Sequence, residues 1–295
     1  MKAPAFAYAR PRHLAEALKL LAAHGDEARL LAGGQTLLAT LNMRLSEPGL
    51  LIDMQAIAEL KGISRIGGLL RIGAMVTHSE VEASPLVARH APLLRMAAPH
   101  IAHRAIRNLG TFGGSIAYGD PAAEWPACLL ALDGVVVARS VGGERRIAAG
   151  DFFTGLYTTR LAANEVITAC EIPVATSTQR FVFDELVRRH GDYAVAGLAV
   201  SAQWEGGLFG EVRIAWLGVA SMPLRSVATE RILQGQRLTD DLLATATRTL
   251  RGELQPEADL THGVSAKRHL AGVLLARAVK SLAAQTPTTK DSHGF

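Results

Sequence analysis

Ala28-Arg29-Leu30-Leu31-Ala32-Gly33-Gly34-Gln35-Thr36-Leu37-Leu38 is the stretch on which the reading of this chain turns. Ala28 to Leu31 reads as a short apolar strand, a Gly-Gly pair ends it, and Thr36 to Leu45 reads as a helix. Glycine has no Cβ, so the backbone of such a junction can turn sharply and press its N–H groups against a ligand. Successive N–H groups there form a concave anion site, and the positive end of the following helix adds to it. A second segment of the same design, Thr111-Phe112-Gly113-Gly114-Ser115, lies about 75 residues further on. Two such turns can hold the two ends of one long phosphate-bearing cofactor.

Outward from the first turn, Pro11 to Gly25 reads as a helix, because Leu14, Ala17, Leu18 and Leu21 recur at helical spacing and Gly25 stops it. Leu50 to Asp53 is a second apolar strand, covered on both faces. Ile63 to Gly73 reads as a hairpin around Gly67-Gly68. Helical patterns follow at Ser79–Ala83, Leu86–Ala98 and Ala122–Leu132, and β-rich stretches at Val135–Ala138 and Val166–Ile172. The middle third mixes strands and helices without a regular βαβ beat. A polar stretch, Pro173 to Gln179, marks a domain boundary. Beyond it Arg180–Val187, Tyr193–Trp204 and Glu211–Ala220 read as three antiparallel strands. Leu224–Leu233, Asp240–Leu250 and Val264–Ala284 read as helices. The polar tail, 286–295, reads as disordered.

Composition bounds the function. With 295 residues, 49% hydrophobic and 20% charged, the chain has the make-up of a soluble protein of two domains or two lobes. No run approaches the ~20 apolar residues of a membrane span, and the N-terminus lacks the apolar core of a signal peptide. A cytoplasmic location is the expectation. Cys128 and Cys170 form no C-x-x-C pair, so this chain builds no iron–sulfur or zinc site of its own. The net charge of +4 is scattered, which argues against nucleic acid and is compatible with a protein partner bearing an acidic face. There is no G-x-x-x-x-G-K-[ST], no G-x-G-x-x-G at a strand–helix junction, no H-E-x-x-H and no G-x-S-x-G.

The ordered motifs resemble the flavin-binding medium subunit of molybdenum-containing hydroxylases, the relatives of carbon monoxide dehydrogenase and xanthine dehydrogenase. The residues that carry the resemblance are Ala32-Gly33-Gly34-Gln35-Thr36, Ile52-Asp53, Ile72-Gly73-Ala74 with Thr77-His78, and Ile106-Arg107-Asn108-x-Gly110-Thr111-x-Gly113-Gly114-Ser115. Asp120-Pro121-Ala122, Glu171-Ile172-Pro173 and Gly191-Asp192-Tyr193-Ala194 complete the set, which runs from Pro4 to about Ala284.

The resemblance implies the α+β class: an FAD-binding domain of the vanillyl-alcohol-oxidase (PCMH) type over 1–176, in two lobes of about 1–58 and 59–176. A C-terminal flavoprotein domain with a three-stranded sheet and helices then covers 177–285. It implies that both glycine turns hold the FAD pyrophosphate. The implied cofactor-binding residues are Leu31, Ala32, Gly33, Gly34, Gln35, Thr36 and Leu37, then Thr77, then Thr111, Gly113, Gly114 and Ser115, and finally Asp120, Ile167 and Tyr193. It assigns this chain no catalytic residue and no metal ligand. The partners it implies are a small subunit with [2Fe–2S] clusters and a large molybdopterin subunit, assembled as a dimer of heterotrimers. This chain's FAD would then take electrons from the iron–sulfur subunit and pass them to an external acceptor.

Several residues carry two readings. Asp120 either bonds the cofactor or caps a helix with Pro121 at its first position. Tyr193 either lies against the isoalloxazine ring or packs in the core as a strand residue. Arg107 steadies the pyrophosphate turn, faces a partner, or is solvated; a docking face at Arg104 and Arg107 is one expectation. His78 lies near the expected site or is structural, while His100 and His103 lack the companions of a metal site. Glu124-Trp125 reads as a helix surface with a packed edge, and the stripe Val273, Leu274, Ala278, Leu282 as core. Phe112, Ser115 and Asp184 depart from the family pattern; Asp184 aligns with a lysine near the flavin in xanthine-dehydrogenase-type relatives. A stand-alone flavin oxidoreductase and an assembly subunit with a decayed flavin site remain as alternatives, the latter resting on Phe112 and Ser115.

Overall fold

The computed structural model describes residues 2–259 and 262–285. Three strands, β1 (Ala7–Ala9), β2 (Ala28–Leu31) and β3 (Leu50–Asp53), form a parallel sheet in the order β1-β3-β2. β3 is central and all four of its residues are buried, as its unbroken apolar run requires. The crossover between β1 and β2 is α1 (Leu14–His24), which packs its Leu14, Ala17, Leu18 and Leu21 stripe into this first core. α2 (Leu37–Asn42) follows the first glycine turn.

The second body begins with the hairpin β4 (Ile63–Ile66) and β5 (Leu69–Gly73). Helices α3 (His78–Ala83), α4 (Pro85–His90), α5 (Pro92–Ala97), α6 (Arg104–Arg107), α7 (Phe112–Tyr118) and α8 (Glu124–Ala131) come next. The helix expected over Leu86–Ala98 is two helices. Pro92 has no N–H and forces Ala91 out of helical geometry, to φ −143° and ψ 61°. Then come β6 (Val135–Ser140), β7 (Gly143–Ala148), α9 (Ala149–Phe152), β8 (Phe153–Gly155), β9 (Thr158–Thr159) and β10 (Val166–Pro173). Five of these strands make an antiparallel sheet, β4-β5-β10-β6-β7, with β10 at its centre.

The third body is an antiparallel sheet of β11 (Gln179–Leu186), β12 (Ala196–Glu205), β13 (Leu208–Leu217) and a two-residue edge strand, β14 (Leu224–Arg225). Pairing of Leu224 and Arg225 with β13 delays the next helix, α10, to Val227–Leu233. α11 (Asp240–Glu253) and α12 (Val264–Ala284) complete this part. One face of the sheet, with Val200, Ile214 and Trp216, packs under α10–α12. The other, with Phe181, Ala199, Ala215 and Leu217, joins the core of the second body. α8 lies between the two, buried from Trp125 to Ala131. A helix that is apolar on every side is covered on every side: from Trp125 onward α8 is enclosed, and Glu124, at its first position, stays partly exposed. The stripe on α12 is core at Leu274, Ala278 and Leu282, with Val273 partly exposed. The tail 286–295 lies outside the described residues.

Candidate functional site

The two glycine segments touch. A Cβ on Gly33 would overlap the Leu109 carbonyl oxygen and lie 2.7 Å from Gly110 Cα. Gly33 is therefore the residue that lets the first turn rest on the loop leading into the second. Gly34 takes a left-handed φ of 71°, the conformation that glycine adopts without penalty. The two turns form one cradle, not two distant anchors for the ends of a cofactor.

Their backbones do different things. Among the described residues the N–H groups of Gly33, Gly34, Gln35 and Thr36 donate to no oxygen, and the segment is only partly buried. Gln35 turns its side-chain amide back to the Gly33 carbonyl (3.0 Å), and Thr36 makes no capping bond with its hydroxyl. In the second segment the four amides from Phe112 to Ser115 are already used. Phe112 N–H bonds Val76 O (2.8 Å), Gly113 N–H bonds Ala74 O (2.9 Å) and Ser115 N–H bonds Thr111 O (3.1 Å). Gly114 N–H bonds the Thr111 hydroxyl at 3.1 Å, which caps α7. Gly113 is glycine because Ala74 passes so close that a Cβ would lie 2.5 Å from the Ala74 Cβ. The first turn thus supplies free donors; the second supplies a rigid floor, the start of α7 and the hydroxyls of Thr111 and Ser115.

The floor is braced from below. Thr77 bridges Thr111 in antiparallel fashion and forms a capping box with Glu80, so its hydroxyl is committed to α3. His78 N–H bonds Gly110 O at 2.9 Å. The His78 ring is buried and its Nδ1 accepts from Trp125 Nε1 at 2.9 Å. Burial, and then the Arg107 charge, lower its pKa to about 4, so His78 is a neutral structural histidine. Ala74 N–H bonds Thr168 O on β10, at the bulge that separates Ile167 from Ala169. Ile167 itself is buried in the second core. Leu31 and Leu37 flank the first turn, at the end of β2 and the start of α2, and Ala32 accepts a long bond from the Gln55 side chain.

α7 leads from the cradle to a cleft walled by tyrosines. Tyr118 ends α7 and its ring lies 5.0 Å from that of Tyr157. Tyr157 stands at the β8–β9 turn with φ 51°, a left-handed conformation uncommon for an aromatic residue. Tyr193 is 68% exposed in the loop before β12, which starts only at Ala196; it is not a packed strand residue. Its phenol is nonetheless pushed up to about 12, by burial first and then by Asp120. Asp120 faces all three phenols, and burial raises its pKa. It is not a helix cap: its Oδ1 accepts from Ala122 N–H at 2.8 Å, in a turn that precedes α8.

Other expectations move. Arg107 is neither solvated nor available to a partner. It is buried, bonded to Glu82 (3.1 Å) and to the carbonyls of Ile101 (3.1 Å) and Ala102 (3.2 Å), and it holds the loop before α6. Phe112 points into the core against Trp125, at 5.2 Å, and does not crowd the cradle. Asp184 lies on the α12 side of the third sheet, 3.0 Å from Arg277, so its departure from the family pattern does not alter the cleft. His100 pairs with Glu185 at 3.2 Å, and no metal-binding cluster occurs among the described residues. Sequence reasoning missed Tyr118 and Tyr157. Tyr118 was legible as the last residue before Gly119-Asp120; Tyr157, a poor turn former, gave no signal.

A two-lobed α+β fold with a donor cradle at the lobe junction and a sheet domain closing the far end is the architecture of vanillyl-alcohol-oxidase-type FAD-binding flavoproteins. The chain belongs to that branch found in molybdenum hydroxylases: the FAD binding domain in molybdopterin dehydrogenase matches residues 4–175, and the CO dehydrogenase flavoprotein C-terminal domain matches residues 181–282. It is 39% identical to the nicotine 6-hydroxylase medium subunit of Paenarthrobacter nicotinovorans, over 97% of this chain and 100% of that one. A chain of the carbon monoxide dehydrogenase from Hydrogenophaga pseudoflava that lacks the Mo-pyranopterin moiety superimposes with a TM-score of 0.94 at 37% identity, covering 96% of this chain and 99% of that one. A chain of quinoline 2-oxidoreductase from Pseudomonas putida 86 gives 0.91 at 36% identity, covering 96% and 98%. The protein is accordingly the FAD-binding component of an oxidoreductase. No helix among the described residues is long and apolar enough to cross a membrane.

Proposed function

We propose that this chain carries FAD as the electron-transfer subunit of a heteromeric molybdenum hydroxylase. The observation that carries the reading is the run of four unpartnered amides, Gly33 to Thr36, seated against the second glycine segment. Backbone donors fixed in place ahead of α2, against the rigid start of α7, suit a pyrophosphate, because they need no reorganisation to meet its charge. Thr36 and Ser115 bring a hydroxyl to each segment, and the Thr111 hydroxyl caps α7. Tyr193, Asp120 and the neighbouring phenols then bound the ring of the cofactor. FAD, when bound, accepts electrons singly or in pairs, and the protein's part is to hold it, orient it and control access to it.

The division into 1–176, with lobes at about 1–58 and 59–176, and 177–285 follows from this reading. So do the partners: a small subunit with [2Fe–2S] clusters, a large molybdopterin subunit, and a dimer of such heterotrimers in the cytoplasm. Several relatives are themselves medium chains or subunits of larger complexes, which supports the assembly. Exposed Arg104 and Leu109, beside the cradle, are the docking face for the iron–sulfur subunit.

The test is the visible spectrum of the purified chain, with heat release and mass analysis of the cofactor. Flavin bands and released FAD are the expected result. A colourless chain that stays colourless after incubation with FAD refutes the reading.

A further inference from the structure

We propose that Lys267 is a positioning residue for the flavin ring: through the Gly218 peptide it fixes the Tyr193 loop of the third body against the turn at Asp120 and Pro121 of the second. The inference deepens the FAD reading and rests on it. The tyrosine-walled cleft is shared between two bodies, with Tyr118, Asp120 and Tyr157 on one and Tyr193 on the other. A contact between the bodies therefore sets the spacing of its walls. Gly218, directly after β13, is where they meet. Its N–H donates to the Pro121 carbonyl at 2.8 Å, next to Asp120. On its other side it rests on the Tyr193 loop: a Cβ at Gly218 would lie 2.5 Å from the Ala194 carbonyl oxygen and 3.1 Å from that of Val195. Its φ of 76° is left-handed, so conformation and space both call for glycine here.

The carbonyl of Gly218 accepts from Lys267 Nζ at 3.2 Å. Lys267 is buried near the N-terminal end of α12, where the helix dipole is positive. Burial, the dipole and the loss of side-chain freedom all oppose a lysine in such a place. Two acceptors keep the ammonium there: the Gly218 carbonyl, and Asp259, whose Oδ2 lies 2.9 Å from it. An apolar side chain of similar volume fills this space without those costs, but it gives Gly218 no donor. The Tyr193 loop depends on such a tie, because its local bonds run within itself. Asp192 N–H bonds Arg189 O at 3.0 Å, and Tyr193 N–H bonds the adjacent Asp192 side chain at 3.1 Å. The Gly218 contact comes from outside the loop and falls on the residue next to Tyr193. Lys267 thus acts on the ring site through Gly218 and the loop, and passes on neither a proton nor an electron.

The test is the decay of flavin fluorescence in the full chain loaded with FAD. A phenol packed on the ring quenches flavin emission by electron transfer, so the short-lived component counts molecules with Tyr193 in place. Lys267→Met removes a hydrogen bond from a charged donor and should enlarge the long-lived component about tenfold or more, with FAD content unchanged. Lys267→Arg should restore most of the parent decay. Tyr193→Leu should give the long-lived decay by itself, and adding Lys267→Met to it should change nothing further. A lysine that serves stability alone would lower the unfolding midpoint and leave the decay as it was. Parent decay in Lys267→Met, or an equal further change in the Tyr193→Leu background, overturns the assignment. If Lys267→Met does not fold, Gly218→Ala, which presses a methyl on the Ala194 carbonyl, carries the same readings. A parent chain that takes up no flavin overturns the FAD reading, and hydrogen exchange of the FAD-free chain then judges the tie. Lys267→Met should speed exchange at Gly218 and over 191–195 and leave the first glycine turn as in the parent; unchanged exchange overturns the tie as well.

Discussion

Replacing Gly33 by alanine tests the contact between the two glycine segments. The new methyl would lie 2.7 Å from Gly110 Cα and overlap the Leu109 carbonyl oxygen. Carbon atoms pack at about 3.5–4.0 Å, so the first turn must withdraw by roughly 1 Å. The obstacle is backbone, not the end of a flexible side chain, and cannot swing aside. A shift of that size takes at least one amide of the first turn out of hydrogen-bond range of a phosphate seated between the two segments. A bond to a charged group is worth about 1.5–3 kcal/mol, and each 1.4 kcal/mol is about tenfold in Kd. Gly33→Ala should therefore weaken FAD binding by roughly 10- to 150-fold. Titration of the FAD-free chain, followed by calorimetry or flavin fluorescence, measures this. Gly68→Ala is the control, since open space surrounds that position and its φ is not left-handed. A Gly33→Ala chain that binds FAD within about threefold of the parent would falsify the single-cradle argument.

Four further outcomes are expected. The folded state resists protonation of His78, whose pKa is about 4 against 6.5 for the free group. The unfolded chain takes that proton first, so this contribution is complete above pH 6.5 and falls away toward pH 4. It amounts to roughly 3 kcal/mol, and urea midpoints at pH 7 and 4.5 should converge in His78→Gln. Thr111→Val removes the acceptor of Gly114 N–H; it should cost about 1 kcal/mol in denaturant titrations and also weaken FAD. Arg107→Met strips Ile101, Ala102 and Glu82 of their donor and should cost about 2–4 kcal/mol by the same measurement. Arg104→Glu, by contrast, should leave stability unchanged and reduce co-purification with the iron–sulfur subunit.

Local signals settled the elements nearest the site. β2 and β3 have the bounds that apolar runs and glycine punctuation gave them, and α12 spans the periodic stretch read from 264 to 284. Both glycine segments were visible in the sequence, though only the first keeps vacant amides among the described residues, and the ordered motifs were enough to place the family. These features depend on neighbours within a few residues, where spacing and backbone freedom act directly.

Contacts between distant residues were a different matter. Nothing local to Ala32-Gly33-Gly34 shows that it rests on Leu109 and Gly110, or that its amides are vacant while those of Phe112 to Ser115 are spent on Val76, Ala74 and Thr111. Arg107 reads as a surface base until the loop at Ile101 folds around it. Asp184 and Glu185 are adjacent carboxylates in the chain, but the sheet turns one to Arg277 and buries the other against His100. A pleated strand sends neighbours to opposite faces, and which face is buried depends on what packs there. The sequence by itself determined the elements, the turns and the family. Only the tertiary structure decided which turn keeps free donors, which charges are buried and which tyrosines share a cleft, because each depends on segments that meet across the sheets.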